Sequence, residues 1–147
     1  MSISPDTRFS PIIAALAQPA DLRTLPIAAL HLVMAMRFCA LFDRAGRDPV
    51  VELATRLGSV PAATATLELI GTVGKIWPDP FVVGRPCCMA MTPDERTLAM
   101  MVRAAQVADH AGFCRQIDGL VRSGRHDALF DQTVRCVAEL AGIQKRA

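Results

Sequence analysis

A complete helix-start signal in the second half of the chain restricts the fold more than any other feature. Thr92 stands at an N-cap position, Pro93 at the first helical position, and Glu95 where a capping box needs its carboxylate. The carboxylate is expected to accept a hydrogen bond from the N–H of the cap residue, which fixes the first turn. The sequence therefore predicts a helix that begins at Thr92.

Signals of the same form divide the rest of the chain into helices. A capping side chain with an early proline opens the first four segments in chain order, and a glycine or proline follows several of the segments. These signals and the apolar spacing predict helices over about 25–41, 48–57, 59–77, 92–106, 113–121 and 127–141. Many Ala, Leu and Met residues, one tryptophan and no tyrosine also favour helices over sheets. We expect an all-α, single-domain bundle of five to seven helices, with the last three in an antiparallel array.

The chain of 147 residues has the size of one domain. Residues 1–23 contain three prolines and are predicted to form a loose N-terminal arm, followed by a single helical domain over 24–147. Apolar residues cover nearly the whole circumference of the helix predicted over 25–41, which is typical of a central or interfacial helix. Gly71 and Gly74 fall inside the third helix, so we expect close contact with a neighbouring backbone or a frayed helix end there.

Composition and charge exclude several classes of protein. Apolar residues make up 52% of the chain and charged residues 20%, so the apolar surplus indicates a large core or a homo-oligomer. The net charge is +2 and the basic residues are spread out, which argues against nucleic-acid binding. No apolar run reaches the roughly 20 residues of a transmembrane helix, so no membrane partner is expected. Five cysteines without zinc or disulfide spacing favour reduced thiols in the cytoplasm.

The two adjacent thiols of Cys87 and Cys88 are the most conspicuous chemistry. They lie in a proline-flanked stretch just before the helix at Thr92, with Arg85 two residues before the first thiol. A helix N-terminus and a nearby cation favour thiolate, which predicts a redox or ligand-binding loop. The other interpretation is that two small side chains fasten the loop onto the helices.

A second pair, His110 and Cys114, has the i, i+4 spacing that can place two metal ligands on one helix face. Residues 109–112 resemble a turn, however, so we expect the pair to span a helix junction and predict no metal or cofactor. Cys39, Cys114 and Cys136 fall on or beside apolar stripes, where cysteine behaves as a small hydrophobe.

From about residue 25 to 142, the layout resembles a family of small, uncharacterised alphaproteobacterial helical proteins that is catalogued as a domain of unknown function. The resemblance rests on the Pro86-Cys87-Cys88 loop and on the Thr-x-Asp-Glu helix start at Thr92. It implies a helical fold and supplies neither an activity nor a catalytic residue.

No motif brings a nucleophile, a base and an orienting group together, and the three histidines are scattered along the sequence. We therefore assign no catalytic residue and favour a non-enzymatic interaction or regulatory module with an unidentified protein partner. The alternative is a thiol-based redox or metal-binding module that uses the loop at Cys87 and Cys88. The third hypothesis is a helical bundle that binds a small molecule.

Overall fold

The computed structural model describes residues 21–146 of the chain. Within this range the protein forms six α-helices, two 3-10 turns and no β-strand, and the all-α prediction is confirmed. The helices are α1 (Ile27–Arg44), α2 (Val50–Leu57), α3 (Val60–Ile76), α4 (Pro93–Gln106), α5 (His110–Ile117) and α6 (His126–Arg146). The arm predicted for residues 1–23 lies mostly outside the described residues.

Helix α1 is central, because it contacts α3, α4 and α6. Its buried residues lie on more than one side of the helix, and the half-buried Leu30 and Met34 pack on the same core. Helix α3 packs on α6, and the last three helices pack on one another. Apolar side chains that share this core explain why an almost entirely apolar segment becomes the centre of the bundle. None of the helices within residues 21–146 is long and apolar enough to cross a membrane.

Local signals determine several helix ends. Gly58 closes α2 with a φ of 66°, a left-handed conformation that glycine adopts without a Cβ penalty. Ser59 opens α3 by accepting a hydrogen bond from the Ala62 N–H at 3.2 Å. Thr92 and Glu95 form both hydrogen bonds of the predicted capping box. The capping and stop residues read from the sequence therefore act as predicted at these positions.

The C-terminal boundaries differ from the predictions. The turn expected at 109–112 is instead the start of α5, because the Asp109 side chain accepts a hydrogen bond from the Gly112 N–H at 2.9 Å and caps the helix. Helix α5 also ends at Ile117, earlier than expected. Helix α6 continues past Gly142 to Arg146, since a glycine ends a helix only where the backbone turns left-handed after it.

Neither expectation for Gly71 and Gly74 is correct. Both residues lie inside α3, and a Cβ added at either position would meet no atom within 4 Å. They line an open cleft of about 440 Å³ between α1 and α3, together with apolar side chains such as Met36 and Phe81. The two glycines therefore widen a surface cleft, and no neighbouring backbone approaches them.

The segment between α3 and α4 has no regular secondary structure and is held by hydrogen bonds to both of its flanks. Asp94 at the start of α4 accepts hydrogen bonds from the Trp77 indole at 3.2 Å and from the Val82 N–H at 2.8 Å. The buried Leu22 donates its N–H to the Met89 carbonyl at 2.8 Å, so the first described residues also attach to this segment. These contacts place residues 84–91, which we call the cysteine loop, beside α1 and the start of α4.

Candidate functional site

The cysteine loop is organised around a buried ion pair between α1 and α4. Arg37 has 1% of its surface exposed and Glu95 has none. The Arg37 Nε lies 2.6 Å from Glu95 Oε2, and Nη2 lies 3.0 Å from Oε1. This two-point geometry matches the planar guanidinium fork to the carboxylate and is among the stronger forms of side-chain hydrogen bonding.

The remaining Arg37 donors hold the loop backbone. Nη1 donates to the carbonyl oxygens of Arg85, at 2.9 Å, and of Cys88, while Nη2 donates to the Ala90 carbonyl at 2.9 Å. Together with the two bonds to Glu95, these account for all five N–H donors of a guanidinium. Three carbonyl groups of the loop thus converge on one buried cation, which selects a single loop conformation.

Glu95 takes part both in the capping box of α4 and in the ion pair with Arg37. Its Oε1 accepts the Thr92 N–H at 2.9 Å, and its own N–H donates to Thr92 Oγ1 at 3.1 Å. Burial raises the pKa of Glu95, but the hydrogen bonds from Arg37 and from the Thr92 backbone outweigh it and leave the pKa below its ordinary value. The same hydrogen bond raises the pKa of Arg37. Both groups are therefore charged at neutral pH.

Gly84 permits the close approach of the loop to this pair. A Cβ at this position would lie 2.7 Å from Arg37 Nη2 and 3.2 Å from Glu95 Oε1. Both atoms belong to a buried, fully hydrogen-bonded pair and cannot move aside freely. A glycine is therefore required where the loop begins to pass over the guanidinium.

The loop presents its thiols to solvent. Cys87 and Cys88 are both free and exposed, and the Cys88 N–H closes a turn by donating to the Arg85 carbonyl at 3.0 Å. Arg85 contributes this carbonyl to the site, while its side chain is exposed. A cleft of about 440 Å³ adjoins the loop and is lined by Leu41 and Arg44 as well as by loop residues. The thiols do not fasten the loop, because the Arg37 hydrogen bonds do so.

The other cysteines occupy different surroundings. Cys136 is buried beside Thr66 in the core, and burial raises its pKa. Cys39 is half-buried in the cleft between α1 and α3, where burial raises its pKa to about 11. Cys114 is half-buried on α5, one turn after His110, so the expected helix junction between these two is wrong. Among residues 21–146 there is no group of three His, Cys, Asp or Glu residues suited to a metal ion.

Arg37, the residue that organises the site, is not among the site residues predicted from the sequence. Its local signal is a single charge in the apolar segment predicted over 25–41, and such a residue must either reach solvent or find a buried partner. The partner, Glu95, lies 58 positions away and its local pattern was already explained by the capping box. No local spacing connects the two.

No family model matches the chain, and no curated protein or solved structure matches it. The function is therefore inferred from the geometry of the site itself.

Proposed function

We propose that this protein is a non-enzymatic interaction module whose contact element is the cysteine loop. The observation that carries the proposal is the convergence of three loop carbonyls and a buried carboxylate on the Arg37 guanidinium. A buried ion pair adds little net stability compared with apolar side chains of the same volume. Its contribution here is to restrict the conformation of a loop whose side chains remain exposed.

A restricted loop is suited to binding. Ordering a flexible loop on binding costs free energy, and a loop that is already ordered avoids most of this cost. Met89, with 48% of its surface exposed, stands beside the two thiols and supplies an adaptable apolar contact. We infer that the partner is a protein, either a second copy of this chain or another cytoplasmic protein.

Site-specific photocrosslinking tests this proposal. A photoreactive amino acid is placed at Met89, and a matched control carries it at Val107, which is 75% exposed and lies outside the loop. We expect a discrete crosslinked species from position 89 and none from position 107, first with the purified protein, where it reports a dimer, and then in cells. Equal patterns from the two positions, or none from position 89 in either setting, would contradict the proposal.

A thiol-based module is the second candidate, because two neighbouring free thiols are exposed on a loop of restricted conformation. Its probe is phenylarsine oxide, since trivalent arsenic bonds two neighbouring thiols. A one-to-one adduct that needs both Cys87 and Cys88, and that is lost in Cys88→Ser, supports this candidate. Alkylation that modifies Cys39 or Cys136 of the folded protein before the loop thiols contradicts it, since burial protects those two.

A further inference from the structure

Two clefts that share Leu41 and Pro86 form a groove beside the cysteine loop. The cleft of about 440 Å³ that adjoins the loop and a second cleft of about 320 Å³ both include these two residues in their walls. Leu41 is 48% exposed, although α1 is the central helix of the bundle. We call the two clefts together the α1 groove. The proposed function uses the loop beside this groove and says nothing about the chemistry of what binds there.

The smaller cleft is apolar and aromatic. Met34, Phe38 and Phe42 of α1 contribute to its walls, and the centroids of the two phenylalanine rings lie 4.3 Å apart. Arg56 of α2 also lines the cleft, with its guanidinium carbon 4.7 Å from the centroid of the Phe38 ring, and it pairs with Glu52 at 3.3 Å. Binding sites are mostly apolar with a few polar groups, and this cleft is large enough for an apolar side chain of a partner.

The larger cleft is cationic. Among the described residues, Arg37, Arg44 and Arg85 line it, and no aspartate or glutamate does. Arg44 and Arg85 are exposed and form no ion pair within residues 21–146. Asp43, the neighbour of Arg44, lines the separate cleft between α1 and α3, and both oxygens of Glu95 accept hydrogen bonds from Arg37. Two cations of this cleft are therefore available to a carboxylate from outside.

The loop wall of the groove is in place before anything binds. Arg37 donates hydrogen bonds to the carbonyl oxygens of Arg85 and Cys88, which lie on the two sides of Pro86 in the sequence. A binding partner therefore does not have to order this wall, and the free-energy cost of ordering it is avoided.

We propose that the α1 groove binds a short peptide segment of a partner protein, with a carboxylate side chain beside Arg44 and Arg85 and an apolar side chain in the smaller cleft. The inference rests on the proposed function, because Arg85 and Pro86 belong to the cysteine loop. Charge complementarity selects the acidic residue, and burial of the apolar residue adds affinity. A nucleic acid would use the cations and leave the apolar cleft empty, and the net charge of +2 does not favour it.

Selection from a library of random short peptides displayed on phage tests this chemistry without assuming a sequence. The library is first depleted on the double variant Arg44→Met, Arg85→Met and is then selected on the wild type. Both side chains are exposed, and circular dichroism checks that the variant is folded. We expect the enriched peptides to combine Asp or Glu with Leu, Ile or Phe.

Fluorescence anisotropy then measures the Kd of one enriched peptide, synthesised with a fluorophore. We expect the Kd to rise at least about fivefold in the double variant, and as much when the acidic residues of the peptide become Asn or Gln. The control is the double variant Arg103→Met, Arg115→Met, which loses an equal charge at exposed positions of α4 and α5 outside the groove. Its Kd should equal that of the wild type.

Several results would overturn the proposal. No enrichment, enriched peptides without acidic residues, or an equal loss of affinity in the control variant would show that the groove does not select a carboxylate. A single-stranded oligonucleotide that competes with the peptide at similar affinity would assign the groove to nucleic acid. A wild-type dimer in sedimentation that the Arg44→Met, Arg85→Met variant lacks would assign it to a second copy of the chain.

The proposed function fails by a different result, the absence of a crosslink from position 89. Groove-dependent peptides without carboxylates would therefore overturn this inference and leave the cysteine loop as the contact element.

Discussion

At the scale of single residues, the unusual feature is a guanidinium whose five donors are all used in the interior. A buried charge is costly unless it is paired and hydrogen-bonded, and Arg37 meets both conditions through Glu95 and three loop carbonyls. If one partner is removed, the other charge stays buried without a counter-charge and the free-energy cost of burying it is no longer offset. The pair therefore couples α1, α4 and the cysteine loop into one unit.

Arg37→Met should destabilise the protein by about 3–5 kcal/mol, because it leaves the Glu95 carboxylate and the loop carbonyls buried without their donor. Urea denaturation measures this free energy of unfolding. Arg44→Met, on the exposed end of the same helix, is the control and should change it by less than about 0.5 kcal/mol. The double variant with Glu95→Gln should lose less than the sum of the single variants, and strict additivity would disprove the coupling.

At the scale of the elements, helix starts and stops are the part of the structure that the sequence predicts well. Ser59, Gly58 and the capping box act through neighbours within three or four positions, so their meaning can be read locally. The error at Asp109 arises because aspartate suits both a turn and a helix start, and the error at Gly142 arises because a glycine inside a helix cannot be told by local sequence from one that ends it. The ion pair of Arg37 and Glu95 could not be predicted, because its partners meet only after the bundle has formed.

Thr92→Ala should destabilise the protein by about 1–2 kcal/mol, since it removes the acceptor of the Glu95 N–H and the donor to the Val82 carbonyl at 2.6 Å. Thermal denaturation detects the loss. Thr92→Ser keeps the hydroxyl and should stay within about 0.5 kcal/mol of the wild type. An alanine variant as stable as the serine variant would rule out a stabilising cap.

Substitution by alanine should have opposite effects on stability at Gly71 of α3 and at Gly84 of the cysteine loop. Gly71→Ala adds a methyl group where nothing lies within 4 Å and should stabilise the protein by about 0.5–1 kcal/mol. Gly84→Ala places a methyl group 2.7 Å from Arg37 Nη2 and should destabilise it by about 1–3 kcal/mol. Denaturation midpoints of the two variants compare the effects directly, and a Gly84→Ala variant at least as stable as the wild type would refute the contact assigned to Gly84.

At the scale of the whole molecule, one network joins the first described residues to the centre of the bundle. The Leu22 N–H donates a hydrogen bond to the Met89 carbonyl. The cysteine loop, which carries this carbonyl, lies around Arg37, and Arg37 pairs with Glu95 at the start of α4. Asp94, the residue just before Glu95, holds the segment between α3 and α4. The loop is therefore part of the bundle, and we expect its conformation to depend on the ionisation of one buried carboxylate, Glu95.

This dependence gives the folded protein a specific response to acid. Hydrogen bonds hold the pKa of Glu95 below its ordinary value of 4.5, so the stabilisation is complete above that pH and is lost as the pH falls through the lowered pKa of the folded state. The free energy of unfolding should therefore decrease below about pH 4.5, and the difference between the wild type and Glu95→Gln should shrink there. Urea denaturation at a series of pH values measures both.

Glu52→Gln is the matched control, because Glu52 forms an exposed pair with Arg56 at 3.3 Å on α2. Solvent screens such a pair, so this variant should follow the wild-type stability at every pH to within about 0.5 kcal/mol. A pH profile of Glu95→Gln that runs parallel to the wild type down to acid pH would mean that Glu95 does not carry the acid response. A profile that converges with the wild type only below about pH 4.5 would identify Glu95, through Arg37, as the group whose ionisation holds the loop in place.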